Sequence, residues 1–283
     1  MKRILLPTDF SDNAWNAIAY AMQLFKNDIC TFFLLHTYTP IVYDAGYSFI
    51  VSNQFGLLDV VKENAMKDLK ATKSKIEDEY HNPNHIIEII SSFNALIPEI
   101  SDIVDFRGID YVVMGTKGAS GVNEVLFGSN TVHVIKNIKC PVLAVPEGYN
   151  FETPEHILFP TDYEIDYKDD QMQPITDIVA SHEASLHVMN ASFGYDLSEK
   201  QRNNKSKLKT YFANLKHKFH SVSGQNVQEA INNFQTETPV QLLVMIKNKH
   251  TFFESLFFKS RINQIGFHLV TPFLVLPQSK LKN

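Results

Sequence analysis

No stretch of the sequence approaches the roughly 20 consecutive apolar residues that a membrane-spanning helix needs, although 44% of its 283 residues are hydrophobic. The apolar run that follows Met1 is also too short for a signal peptide, and it predicts a first strand instead. We therefore expect a cytoplasmic protein without membrane contact. A chain of this length is long for one compact α/β core and suits two domains.

Cysteine is nearly absent as well, since the chain has two residues of this type and neither belongs to a CxxC motif. Each lies beside an apolar run, which predicts a reduced thiol in a core. Two histidine pairs, His81 with His85 and His217 with His220, lack the cysteine or carboxylate framework that would complete a metal shell. We predict no metal site formed by the protein alone.

The chain also lacks an excess of positive charge, because its formal net charge is -5. The surface as a whole therefore does not attract nucleic acid. One stretch, from Lys200 to Lys218, is rich in lysine and arginine. A solvated helix face explains this stretch better than an anion-binding surface does, and we expect no nucleic-acid partner.

The sequence repeats itself. Residues 4–9, Ile-Leu-Leu-Pro-Thr-Asp, return 153 positions later as Ile-Leu-Phe-Pro-Thr-Asp, with five of six residues identical. Two later segments, Tyr111–Met114 and Pro141–Pro146, return as similar sequences after 131 positions. An internal repeat of this kind indicates two copies of one domain. The second copy is shorter, because it lacks much of the segment between the second and third strands.

Within each copy, apolar strand-like runs alternate with helical patterns, as in strand Arg3–Thr8 and helix Asn13–Phe25. Strands such as Thr31–Leu35 are apolar on both faces, which is typical of a sheet covered by helices on both sides. We predict two α/β domains, over residues 1–147 and 154–283. Each is expected to be doubly wound, with a five-stranded parallel sheet of order 3-2-1-4-5 and helices on both faces.

The segment after the fourth strand has the spacing of a phosphate-binding loop. Gly115 and Gly118 are followed, after nine residues, by Gly128 at a predicted helix start. Glycines let backbone N–H groups approach phosphate oxygens, and a helix N-terminus favours negative charge. Polar side chains follow at the helix start: Ser129, Asn130 and Thr131. The spacing is neither that of a Walker A loop nor the GxGxxG fingerprint.

The predicted fold brings this loop to an early carboxylate. Ligands of doubly wound sheets bind beyond the carboxyl ends of the strands, where the strand order reverses. In the order 3-2-1-4-5 this point lies between strands one and four, which end at Asp9 and Gly115. Each feature alone also fits a turn, a helix cap or a strand end, but their joint spacing favours a nucleotide site.

The pattern Gly-x2-Gly-x9-Gly-Ser, together with an early strand that ends in Pro-Thr-Asp, resembles the ATP-binding universal stress proteins. The resemblance covers nearly the whole chain as two fused copies. It implies an adenine nucleotide as ligand, ATP with AMP and ADP as alternatives, accompanied by Mg²⁺ or Mn²⁺. The implied site residues are Pro7, Thr8, Asp9, Thr37, Met114, Gly115, Gly118, Gly128, Ser129, Asn130 and Thr131. The resemblance also implies that the last strands of the two copies pair into an intramolecular pseudo-dimer, which can dimerise again.

The second copy departs from this pattern, because Ile246, Lys249 and Lys259 stand in place of the three glycines. We predict no ATP there. Two interpretations of the positive charges here stay open. The side chains either bind another anion or form a solvated, positively charged surface. The residues are Lys247, Lys249, Lys259 and Arg261. The aromatic run from Phe252 to Phe258 is expected to fill the emptied pocket rather than to form a contact surface.

The leading hypothesis is a stress or regulatory protein in which nucleotide occupancy of the first copy sets its partners. No residue near the loop stands out as a base or nucleophile, so binding is predicted and no catalytic residue is assigned. An ATP-dependent ligase or hydrolase, with the insert Tyr38–Tyr80 at its substrate, is the first alternative. A ligand-free interaction scaffold is the second. The loop Thr39–Gly56 is open between a lid and a partner surface.

Overall fold

The computed structural model describes residues 1–39, 54–116, 128–192, 196–247 and 271–278. The described residues up to Cys140 form one compact unit, and those from Pro141 onward form another. The domain bounds 1–147 and 154–283 follow the sequence repeat and stay a prediction.

The first unit alternates four strands with four helices. In chain order they are β1 (Lys2–Pro7), α1 (Asp12–Leu24), β2 (Cys30–Tyr38), α2 (Gln54–Glu79), β3 (His85–Phe93), α3 (Leu96–Arg107), β4 (Tyr111–Gly115) and α4 (Ser129–Asn137). The strand order in its sheet is β3-β2-β1-β4, and the pairs are parallel. The carboxyl ends of these strands therefore meet at one edge of the sheet.

The second unit contains the remaining described elements. They are β5 (Val142–Val145), β6 (His156–Pro160), α5 (Asp169–Ser181), β7 (Ser185–Ser192), α6 (Glu199–Tyr211), β8 (His217–Ser223), α7 (Val227–Glu237), β9 (Leu242–Ile246) and β10 (Phe273–Leu276). The strand order is β5-β10-β9-β6-β7-β8. Strands β6 to β10 repeat the order 3-2-1-4-5 in parallel, as predicted.

Strand β5, the fifth strand of the first sequence copy, pairs antiparallel with β10, so the sheet of the second unit is mixed. The paired residues run from Val142 opposite Val275 to Ala144 opposite Phe273. The two strands are the last of their copies, and the expected pairing between them is present. Without this pairing, β5 and β10 would each have an unpaired edge. Such an edge can pair with a strand of another chain, and the pairing of β5 with β10 prevents this.

The strands form because their residues are apolar on both faces. Ile4, Leu5 and Leu6 follow one another in β1 and are all 0% exposed. Successive strand side chains point to opposite faces, so both faces of this sheet are covered. Helix α1 packs on β1 and β4, while α2 packs on β2 and β3. Within the described residues, no helix is long and apolar enough to cross a membrane.

Candidate functional site

A crevice opens in the first unit at the carboxyl ends of β1, β2 and β4 and at the start of α4. Its lining residues are Pro7, Thr8, Asp9, Ala14, His36, Thr37, Leu96, Met114, Gly115, Gly128, Ser129, Asn130 and Thr131. Ten of the eleven residues predicted from the sequence are among them. The remaining one, Gly118, lies outside the described residues. Sequence reasoning missed three lining residues, which are Ala14, His36 and Leu96.

The turn after β1 fixes the position of the Asp9 carboxylate. The hydroxyl of buried Thr8 accepts a hydrogen bond from the N–H of Phe10 at 3.0 Å. Asp9 Oδ1 accepts hydrogen bonds from both the N–H and the hydroxyl of Ser11, at 3.1 and 2.5 Å. The Ser11 hydroxyl in turn caps α1 by accepting from the N–H of Ala14 at 3.2 Å. The exposed carboxylate is therefore oriented by the start of a helix.

His36 lies beside this turn and joins β2 to the end of β1. Its Nδ1 lies 2.8 Å from the Thr8 carbonyl oxygen, and because a carbonyl only accepts, Nδ1 carries the proton. The imidazole also packs against the Phe10 ring, with 4.5 Å between the ring centroids. Phe10 has a backbone φ of 63°, which is rare for a residue with a side chain. These contacts hold one wall of the crevice in place.

The end of β4 is packed tightly against α1. A Cβ atom added to Gly115 would lie 2.4 Å from Asn13 Nδ2 and 2.7 Å from Asn13 Cγ. Such distances are far below van der Waals contact, so no larger residue fits at position 115 while Asn13 stays in place. The packing of the Asn13 side chain therefore requires a glycine at position 115, and the predicted approach of a phosphate to this glycine stays a prediction.

Two hydrogen bonds tie the end of β4 to the start of α4. The hydroxyl of Thr131 donates to the Gly115 carbonyl at 2.9 Å, and the Gly128 N–H donates to the Thr116 carbonyl at 2.5 Å. Thr131 is only 1% exposed, so its hydroxyl supports the backbone from within. The described residues on either side of the segment 117–127, Thr116 and Gly128, are thereby held close together.

The N-terminus of α4 faces the crevice. Ser129 and Asn130 form its first turn and are exposed. The first N–H groups of a helix have no partner inside the helix, and the helix dipole adds partial positive charge there. No side chain caps this helix at Gly128. The crevice therefore combines a carboxylate at one wall with anion-attracting N–H groups at the other.

The described residues contain no group of three or more His, Cys, Asp or Glu residues that could hold an ion. Within the described lining of the crevice, Asp9 supplies the carboxylate oxygens, and Thr8, Thr37, Ser129 and Thr131 supply hydroxyl oxygens.

In the second unit, the connection that follows the first strand of the copy carries buried aromatic side chains. The connection from β6 to α5 covers residues 161–168, four residues longer than the connection 8–11 from β1 to α1. Tyr163 and Tyr167 of this connection are 0% and 2% exposed. The Tyr167 hydroxyl hydrogen-bonds to the hydroxyl of Thr161, the counterpart of Thr8 in the repeat. Burial raises the pKa of the Tyr167 hydroxyl, which therefore stays protonated.

Further contacts hold this connection closed. Asn190 Nδ2 donates to the Thr161 carbonyl at 2.9 Å, and Gln201 Nε2 donates to the Asp162 carbonyl at 2.9 Å. Desolvation raises the pKa of the Asp162 carboxyl, whereas its counterpart Asp9 is exposed. The longer connection with its two tyrosines was the signal in the sequence for this difference. The predicted substitutions Lys249 and Lys259, with Ser260 and the run Phe252–Phe258, lie outside the described residues.

Comparison with known proteins identifies relatives of both the sequence and the fold. The model of the Universal stress protein family matches residues 1–146. A universal stress protein of Methanocaldococcus jannaschii is 31% identical over 147 residues, which cover 51% of this chain and 81% of the relative. A second one from the same organism is 28% identical over 156 residues, covering 51% and 94%. A crystal structure of a universal stress protein from Archaeoglobus fulgidus has the same fold over 98% of both chains, with a TM-score of 0.73 and 19% identity.

Proposed function

The chain belongs to the universal stress protein family, and on this premise we propose that its first unit binds one adenine nucleotide in the crevice between β1, β4 and α4. The observation that carries the proposal is the shared lining of this crevice. Residues from four separate elements, selected from the sequence for a nucleotide, lie around one opening. The proposed role is regulatory, with nucleotide occupancy setting which partners the protein binds.

The two ends of the crevice suit the two ends of a nucleotide. The Asp9 carboxylate accepts hydrogen bonds from the ribose hydroxyls or the base, because Ser11 already orients it. The phosphates lie against the first turn of α4, where N–H groups and the helix dipole attract anions. Ser129 and Asn130 add side-chain donors at the same place.

A divalent cation fits this site only as a companion of the phosphates. Mg²⁺ keeps several waters and takes one or two carboxylates plus phosphate oxygens in such sites. The described lining offers the single carboxylate Asp9 and hydroxyls that include those of Ser129 and Thr8. When bound, the ion neutralises phosphate charge, and the protein residues orient the nucleotide around it.

The proposal gives the second unit no nucleotide. Tyr163 and Tyr167 are buried beside Thr161, where the first unit is open at Thr8. A nucleotide would have to displace the Tyr167 ring and break the contact between the hydroxyls of Tyr167 and Thr161. Burial of a large aromatic side chain stabilises by about 1.5–3 kcal/mol, so this displacement is strongly disfavoured.

The repeat offers a matched pair of variants to test the proposal. Asp9→Asn removes the charge from the crevice, and Asp162→Asn makes the same change at the equivalent position of the second unit. Loss of a charged hydrogen-bond partner costs about 1.5–3 kcal/mol, so ATP affinity measured by titration calorimetry falls about 10- to 100-fold in Asp9→Asn. Asp162→Asn binds ATP as the wild type does. Equal affinities in all three proteins refute the assignment of the site.

A further inference from the structure

Three histidines form a continuous chain across neighbouring strands of the second unit. His156 on β6 places its Nδ1 3.0 Å from Nε2 of His187 on β7. His187 in turn places its Nδ1 3.0 Å from Nε2 of His220 on β8. All three side chains are half-buried. The crevice of the first unit uses none of them, and they have no part in the proposed nucleotide site.

Helix α7 covers this histidine chain. The Phe234 ring lies 5.2 Å from the His187 ring and 5.0 Å from the His220 ring, measured between centroids. The other ring contacts, His156 with His187 and His187 with His220, have centroid separations of 5.2 Å each. The histidines therefore connect three strands to one another and to the helix that packs on them.

The charged side chains that most affect the pKa values of His187 and His220 are those of lysines. Lys218 lies opposite His187 in the pairing of β7 with β8, and Lys218 and Lys216 both disfavour a charge on His187. Lys218 also acts on His220. On α7, Glu229 is engaged in capping the helix through the Asn226 N–H, and Glu237 is exposed. Glu155, which precedes His156, is exposed as well.

Proton counting limits how much charge the chain can accept. Three neutral imidazoles carry three N–H groups on six nitrogens, and each of the two contacts needs one N–H and one bare nitrogen. One further proton can be placed on an outward-facing nitrogen of His156 or His220. A second added proton forces two N–H groups to face each other across a 3.0 Å contact. The folded chain therefore holds at most one extra proton, whereas three separate histidines in the unfolded chain take up three.

We propose that the chain His156–His187–His220 is a proton-sensitive latch, which holds β6, β7, β8 and α7 together at neutral pH and releases them on acidification. This latch makes the stability of the second unit respond to acid more steeply than that of the first unit, where burial lowers the pKa of His85. It gives the protein a second input, proton concentration, besides any ligand of the first unit.

The direction of the response follows from proton linkage. Burial, followed by the neighbouring imidazoles and lysines, lowers the pKa of His187 from 6.5 to about 4, and burial lowers the pKa of His220. A group with a lowered pKa in the folded state binds fewer protons there than in the unfolded state. The stabilisation is therefore complete above pH 6.5 and is lost as the pH falls toward 4. His187 alone reduces the folding equilibrium constant about 20-fold between pH 7 and pH 5.

Hydrogen exchange with mass spectrometry tests the latch on the full chain, because it reports on each segment separately. Protection factors, corrected for the intrinsic exchange rate at each pH, are compared at pH 7 and pH 5. We expect peptides from β7, β8 and α7 to lose protection by at least 20-fold, and by several-fold more than peptides from β1 and β2. A uniform change over both units overturns the proposal.

Histidine variants distinguish a role of the histidines in proton binding from a role in packing alone. His187→Gln keeps a hydrogen-bonding side chain but removes the titrating group. The ratio of the protection factors at pH 7 and pH 5 is therefore at least tenfold smaller in this variant than in the wild type. His81→Gln, at an exposed position of the first unit, is the matched control and retains the wild-type response. If His187→Gln is unfolded at pH 7 by circular dichroism, the same comparison is made with His220→Gln. A wild-type response in the folded histidine variant overturns the proposal.

Discussion

Replacing Gly115 by alanine tests the packing at the floor of the crevice. The new Cβ would lie 2.4 to 2.9 Å from three atoms of the Asn13 side chain. The glycine does not have the positive φ that penalises other residues, so the expected effect comes from the clash. A glycine-to-alanine change at a compatible position stabilises by about 0.4–1 kcal/mol, whereas overpacking costs about 1–3 kcal/mol. We expect a net destabilisation of the first unit by about 1–2 kcal/mol.

Urea unfolding followed by tryptophan fluorescence measures this effect in the correct unit, because Trp15 is the chain's single tryptophan and lies in α1. The control is a double-mutant cycle with Asn13→Ala. In the Asn13→Ala background the clash is gone, so Gly115→Ala costs less than about 0.5 kcal/mol there. A cost that is the same in both backgrounds, or no cost in the wild-type background, refutes the proposed role of Asn13.

Two further predictions concern buried groups. Tyr167→Phe removes the hydroxyl that pairs with Thr161, so the free energy of unfolding of the second unit falls by about 0.5–1.5 kcal/mol, measured by urea unfolding followed by circular dichroism. ATP affinity is expected to stay unchanged. Weaker ATP binding contradicts the assignment of Tyr167 to a region separate from the nucleotide site. Cys30 and Cys140 are buried thiols, and burial raises the pKa of each to about 12. Both therefore react with a chromogenic disulfide reagent at pH 8 only after unfolding. Rapid reaction of either thiol in the folded protein contradicts the described core.

Much of the framework could be predicted because it depends on local patterns. The apolar run predicted as strand Arg3–Thr8 forms β1 from Lys2 to Pro7, and the repeated segment Pro141–Pro146 contains β5, Val142–Val145. Strand order then follows from general rules for doubly wound sheets. Because parallel strands end at one edge, Asp9 and Gly115 line one crevice as predicted.

The missed features depend on contacts between residues distant in sequence. His36 lines the crevice because its ring reaches the Thr8 carbonyl across two strands, and strand periodicity carries no information on such a bond. Likewise, the side chain whose packing requires a glycine at position 115 is that of Asn13, about 100 residues earlier in the chain, and a loop pattern carries no information on this contact. The histidine chain was missed for the same reason, since His156, His187 and His220 meet only after three strands pair.

The second unit shows how a small length change alters a site. The repeat shift of 153 residues holds from Ile157 to Asp162 and extends to the turn, where Phe10 and Tyr163 share a positive φ of 63° and 58°. Helix α5 then starts four residues later than the repeat predicts. The extra residues include Tyr167, which covers Thr161. The substituted glycines of the second copy give no indication of this insertion, whereas the distance from Asp162 to the next helix does.

The number of nucleotides bound per chain tests the central claim most directly. Native mass spectrometry of the full chain, titrated with ATP and Mg²⁺, resolves complexes with zero, one and two nucleotides. The account predicts one ATP per chain at saturation, weakened in Asp9→Asn and unchanged in Asp162→Asn. A second ATP bound with comparable affinity, or a chain that binds none, would contradict it.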